Sequence, residues 1–327
     1  MMIEDAPKLP GIAPSPVLTA VLAGSLAAVL FLLPRLSAGA PVLALPMGSA
    51  GLFSAVPLMF VRLYGGLFHA LLATAQAIIL LSVIDSPDTG IGFAVLFGLW
   101  ALVAGEVMSR RKSVVLGCAA GLVVLSLEAS LAMAAEGTAA IEEAVRSPQL
   151  QTSFDQWATQ AQLEPQEAKA TIEGVRNAII SLYPSLSIVS AATIVALNAF
   201  ALGRLVGRLR VPLFPTGELM TLRWPLALVV AFVGSGAMLM LPDMEVLGWN
   251  GLVVTLFLFL LQGLSVMTFA LSRLFASELM RTLLVVGSLL GPWAIFLSLV
   301  GLFDQWFDFR GRFVSAETPA PPSSSLQ

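Results

Sequence analysis

A ladder of about nine strongly apolar segments, broken once by a polar stretch of about 45 residues at 136–180, constrains this chain more than any other feature. Runs of about 18 or more apolar residues cross a hydrocarbon core of roughly 30 Å as helices. Transmembrane strands would need an alternation of apolar and polar residues, and the segments show none. With 57% hydrophobic and 11% charged residues, a 327-residue chain cannot hide its apolar surface inside a water-soluble globule. The expected fold class is therefore all-α, a polytopic transmembrane helix bundle.

The expected spans are 16–34, 42–61, 63–84, 91–108 and 113–135, then 182–202, 224–241, 249–271 and 283–302. The second is interrupted by Pro41, Pro46, Gly48, Gly51 and Pro57, so it reads as kinked, short or re-entrant, and the count falls to eight if it does not cross. Around the spans lie a cytoplasmic segment at 1–15, the insert at 136–180, a linker at 208–223, and a juxtamembrane motif with a Pro- and Ser-rich tail at 304–327. Helices 1–5 occupy 16–135, helix 6 occupies 181–207 and helices 7–9 occupy 224–303. The first span lacks a basic leader and an A-x-A cleavage site, and it is expected as a retained anchor.

Positive charge sets the orientation, because loops rich in Lys and Arg stay cytoplasmic. Placing Arg110, Arg111 and Lys112 inside also places Arg204, Arg208, Arg210, Arg223, Arg273 and Arg281 inside. The insert then faces outward. Tyr64, Trp224, Trp249 and Trp306 stand at span ends, where an amphipathic ring suits the headgroup layer.

The insert is acidic, with seven carboxylates against Arg146, Lys169 and Arg176. From Pro165 onward, Ala168, Ile172, Val175, Ile179 and Leu182 recur at helical spacing opposite Lys169, Glu173 and Arg176. That pattern predicts a helix running straight into the sixth span, with Pro184 as a kink point. A second short helix is expected around Phe154, Trp157, Ala158 and Ala161. Two readings stand side by side, a lid over a membrane cavity and a connector resting on the membrane surface.

Polar residues inside spans are the usual pointers to a pathway. Here they are His69, Gln76, Glu106, Glu128, Asn198 and Gln262. Glu106 stands one turn from Arg110, which suggests a structural ion pair, and Gln262 suits a bond to a neighbouring helix. Glu128, about 24 Å along its helix from Lys112, is the first candidate to touch a solute. Gln76 and His69, the only histidine, complete the candidate solute set. Ala20, Gly24 and Ala28 form a small-xxx-small stripe, a candidate face for a partner helix or for internal packing.

The residue census points away from catalysis. One His and one Cys cannot build a zinc centre, a C-x-x-C motif or a disulfide, and no phosphate-binding G-x-x-x-x-G-K-[ST] loop occurs. No cofactor or metal is expected, and basic residues are too scattered for nucleic acid.

Two segments carry a family resemblance. Arg208-Leu-Arg-Val-Pro212-Leu-Phe214-Pro215, with Glu218-Leu219 and Leu222-Arg223-Trp224-Pro225, resembles the linker of the YybS-like predicted membrane proteins of bacteria. The closing Gly301-Leu-Phe-Asp304-Gln-Trp-Phe-Asp308-Phe-Arg310 resembles the terminal signature of that family. The resemblance implies a multi-pass protein of the bacterial inner membrane with no assigned activity. It further implies a distant similarity of the first six helices to the S components of energy-coupling-factor transporters. Those proteins hold a solute near the outer face and meet a coupling subunit through small residues of the first helix. Ala20, Gly24 and Ala28 match that surface, and the insert matches the last external loop. The chain departs from the S-component pattern by three added helices and a long loop. The expected function is non-enzymatic: solute binding or transport with partner subunits, or alternatively an envelope scaffold that binds other membrane proteins.

Overall fold

The computed structural model describes residues 15–36, 49–137, 139–209, 221–275, 277–289 and 292–312, and it is helical throughout, with no strand among those residues. The linker residues Pro212, Phe214, Pro215 and Glu218 lie outside them, as do the N-terminal segment, the tail and the start of the expected second span. Two compact units divide the chain, residues 1–216 and 217–327.

The first unit opens with α1 (Pro16–Leu36), a 3-10 turn at Gly51–Phe53, α2 (Val56–Gly65) and α3 (Leu67–Ile84). Next come α4 (Pro87–Phe93), a π-helical stretch (Ala94–Leu99) and α5 (Trp100–Arg111), which together form one apolar rod of 25 residues. Ser86 starts that rod by accepting a hydrogen bond from the Thr89 amide at 3.2 Å, as an N-cap should. Lys112, left-handed at φ 53°, ends it, and α6 (Val114–Glu136) returns antiparallel.

The insert folds into helices, the expected two and, before them, a short one that the spacing did not suggest. They are α7 (Ala139–Val145), α8 (Pro148–Gln160) and the first half of α9 (Pro165–Arg208). Val145, Ala158 and Ile172, one from each, are buried. Arg176 lies 5.7 Å over the Phe154 ring and hydrogen-bonds Gln151, which ties α8 to α9. At 44 residues, α9 is about 66 Å long, enough to cross a membrane and project well beyond it. Pro184 lies inside it, and the helix continues without interruption.

Close backbone approach holds the first unit together. A Cβ on Gly24 would collide with the Ala73 carbonyl, so α1 and α3 meet backbone to backbone. Ala20, Ala28, Ala70, Ala73 and Ala77 are all buried along this contact. Trp100, Phe93, Leu58 and Met59 fill the centre with no more than a trace of exposure.

The second unit contains α10 (Ala227–Met238), α11 (Glu245–Leu274), α12 (Glu278–Ser288) and α13 (Trp293–Phe307). Here the structure departs from the expected spans. The run at 283–302 is not one helix: Pro292, which lacks an amide donor, separates α12 from α13. Helix α13 then continues to Phe307, so Asp304, the first residue of the expected juxtamembrane motif, stands in a buried helical turn and pairs with Arg310.

Among the described residues, six helices are long and apolar enough to cross a membrane, where the sequence suggested nine spans. Gly51–Gly65, Ala227–Met238 and Trp293–Phe307 are apolar but shorter. Gly24→Ala should lower the thermal midpoint in detergent, by the equivalent of about 1–3 kcal/mol from overpacking. Gly203→Ala, whose added methyl meets nothing within 4 Å, should leave the midpoint unchanged or raise it.

Candidate functional site

The ionisable residues of the first unit fall into two environments. At the end of α5 near Lys112, the Arg62 Nε donates to Glu106 Oε2 at 2.6 Å, and the other oxygen accepts from Arg110. Arg62 is 9% exposed, and Gly105 makes room for it: a Cβ there would come within 3.0 Å of the Arg62 side chain. The pair to Arg110 was legible from i,i+4 spacing. The pair to Arg62, from another helix, was not. At the opposite end of the rod, Arg35 pairs with Asp85 and donates to Thr89 Oγ1 at 3.2 Å, fastening α1 to the α3–α4 turn.

Glu128 has the other environment. Both carboxylate oxygens are buried, and neither has a hydrogen-bond partner among the described residues. Helical periodicity shows what it faces. A Cβ on Gly121 would lie 3.1 Å from Trp100 and 3.5 Å from Val195, so that face of α6 looks between α5 and α9. Seven residues on, two turns along the same face, stands Glu128. Because α5 and α6 are antiparallel, this level corresponds to the π-helical Ala94–Leu99, a local distortion frequent at functional positions. Glu128 is about 12 Å from Glu136, where α6 ends and the insert begins.

The other members of the candidate solute set are engaged elsewhere. Gln76 Nε2 donates to Ser25 Oγ at 3.0 Å, joining α3 to α1. His69 Nδ1 contacts the Gly65 carbonyl at 2.6 Å, within its own stretch of chain. Asn198 donates to the Leu52 and Ile194 carbonyls, both at 2.8 Å, and so holds the 3-10 turn against α9. The face of Ala20, Gly24 and Ala28 is taken by α3 within the unit. Beside it lies a groove of about 340 Å³ lined by Leu22, Ala23 and Leu26 of α1, Pro57 and Phe60 of α2, and Ala201 and Leu205 of α9. Its walls are apolar.

In the second unit, the two motif segments meet. Gln262 of α11 donates to Asp304 Oδ2 at 3.1 Å and accepts from the Trp224 amide at 3.0 Å and from Gln305 at 3.2 Å. Asp304 also accepts from the Phe309 amide at 3.1 Å and from Arg310 at 3.2 Å. Arg310 reaches the Leu222 carbonyl at 2.7 Å, while Arg223 reaches the Asp304 carbonyl at 3.0 Å and Asp308 Oδ1 at 3.1 Å. Gly263 and Gly301 allow this: a Cβ on either would collide with the backbone of the opposing helix. Asp304, Asp308 and Arg310 thus act together with Arg223 and Gln262. Sequence reading named them singly.

Fold and side chains together define a polytopic helical membrane protein whose first unit holds, among the described residues, a carboxylate buried with neither oxygen hydrogen-bonded. Residues 25–305 match the family described as "Predicted membrane protein (DUF2232)", and the chain belongs to that family. No curated protein and no solved structure matches the chain.

Glu106→Gln should destabilise the first unit by about 3 kcal/mol, because it strips a buried guanidinium of its counter-charge. Arg110→Ala, at the exposed side of the same cluster, should cost only about 0.5 kcal/mol. Thermal melts in one detergent check the contrast. In the second unit, Asp304→Ala should lower stability far more than Asp308→Ala, since Asp304 is fully buried and holds three donors.

Proposed function

We propose that this protein is a non-enzymatic, multi-pass component of a bacterial inner membrane that binds a small cationic or hydrogen-bond-donating solute at Glu128, beneath the helical insert. The observation that carries this reading is the carboxylate itself, buried with both oxygens unpartnered among the described residues. Burying such a group without a partner costs several kcal/mol, so a ligand that supplies a donor or a positive charge gains that energy on binding. The insert supports the reading as a folded cap that begins where α6 ends, and the π-helical stretch places a distortion at the depth of Glu128. The role we propose is that of a solute-binding subunit working with partners, which is what the resemblance of the first six helices to S components would imply. Gln76 and His69 make their hydrogen bonds to Ser25 and to the Gly65 carbonyl.

A second reading is favoured by the apolar groove among α1, α2 and α9. Lined by small and large apolar side chains at membrane depth, it suits a transmembrane helix of another protein, and the chain would then serve as an envelope scaffold.

Purified protein should be screened for thermal stabilisation by monovalent cations, amines, amino acids, nucleosides and vitamins. A ligand at about 100 times its Kd adds roughly 2.7 kcal/mol to apparent stability. The expected result is a stabilising cationic or donor-rich compound whose effect disappears in Glu128→Gln and persists in Gln76→Leu. A panel without effect on the wild type, together with a membrane protein photo-crosslinked from Leu26 and not from Val83, would instead establish the scaffold.

A further inference from the structure

In the second unit two short apolar helices, α10 and α13, pack along one long helix, α11. Both α10 and α13 run antiparallel to α11. For α10, the Trp224 indole donates to the Leu258 carbonyl at 2.8 Å, Phe232 packs on Phe259 at 6.0 Å, and a Cβ on Gly251 would meet Ser235. For α13, Gly301 opposes Phe259, and Gly263, one turn further along α11, opposes Leu297. The carboxyl end of α13 and the amino end of α10 therefore meet at the same level, opposite residues 258–262 of α11. The lengths agree. Helix α11 has 30 residues and is about 45 Å long, while α13 with 15 and α10 with 12 are about 22 Å and 18 Å. Neither short helix spans a 30 Å core alone, and end to end they do.

The break between them is polar, and apolar surface flanks it on both sides. Val230 and Val233 of α10 and Ile295 and Phe296 of α13 are each about 60% exposed, as lipid-facing side chains are. At the break, Arg223 and Asp308 form an ion pair whose side chains are 47% and 60% exposed. A half-exposed ion pair midway along a lipid-facing helix cannot be left against acyl chains, where no group solvates it. Irregular backbone at membrane depth is tolerated where it lines a watery cavity. Discontinuous helices elsewhere place their polar ends at such sites.

We propose that the junction of α13 and α10 is a water-accessible polar site at membrane depth, suited to a small net-neutral polar solute; this moves Arg223 and Trp224 inward from the cytoplasmic linker and headgroup layer expected from the sequence. The charge balance assigns the class of guest. Among the described residues whose side chains meet at the junction, Arg223 and Arg310 are matched by Asp304 and Asp308, so these four contribute no net charge and favour neither ion sign. Asp304 and Arg310 form the buried floor, with side chains 1% and 14% exposed, and Arg223 and Asp308 form the open rim.

Thiol reactivity tests this without touching the cluster, because a cysteine reacts as the thiolate and needs water to form it. In a Cys118→Ser background, single substitutions Leu226→Cys at the break, Val233→Cys on α10 and Phe296→Cys on α13 are labelled in membranes with an anionic and a cationic methanethiosulfonate reagent. Ala227→Cys replaces Leu226→Cys if that variant does not fold. The break position should react at least about tenfold faster than both flanking positions, and the two reagents, each normalised to a free thiol, should agree within about threefold. Reaction at the break as slow as at the flanks would show a dry junction and overturn the proposal. So would fast reaction at all three, which would remove this level from the membrane, or a preference above about tenfold for one reagent sign, which would contradict a neutral site.

Discussion

A hydrocarbon slab offers no hydrogen bonds, so each polar group carried into it must find its partner within the protein or within water that the protein admits. The architecture of this chain follows from that constraint. In the first unit it yields the Arg62–Glu106–Arg110 cluster, the Gln76–Ser25 bond and the two carbonyls that engage Asn198. In the second it gathers Gln262, Asp304, Gln305 and Arg310 with the backbone of residues 222–224. Each joins elements distant in sequence, so the same bonds that satisfy polar atoms also fix helix against helix.

Packing works through glycine and alanine where apolar burial has little to contribute, lipid tails being as apolar as the side chains they replace. Gly24 against Ala73, and Gly263 against Leu297, bring backbones into contact and set the register in which the polar pairs meet. In the second unit this dependence is direct: without the close approach at Gly263 and Gly301, Gln262 would not reach Asp304.

Much of the architecture was legible in the sequence because hydropathy and helical period are local signals. The helical insert and its continuation through Pro184 into a long apolar helix follow from residue spacing. The split of the last span was hidden because Gly291 and Pro292 stand within an otherwise apolar run, and a window average passes over a single break. The Arg62–Glu106 pair and the meeting of the two motif segments are tertiary events, 44 and about 80 residues apart, and one sequence has no periodicity that encodes them. Glu128 was legible as a charged residue in an apolar span. That its oxygens find no partner among the described residues is knowledge only the packing supplies.

Glu128 is the test of the functional account, since among the described residues it is the carboxylate whose two oxygens are both buried without a hydrogen-bond partner. A high-resolution structure in lipid nanodiscs, prepared with and without the stabilising ligand, would show what its carboxylate meets. The account predicts ligand density within about 3 Å of a Glu128 oxygen, replaced by water when the ligand is omitted. A direct hydrogen bond from a side chain of this protein to both oxygens, unchanged by ligand, would contradict it.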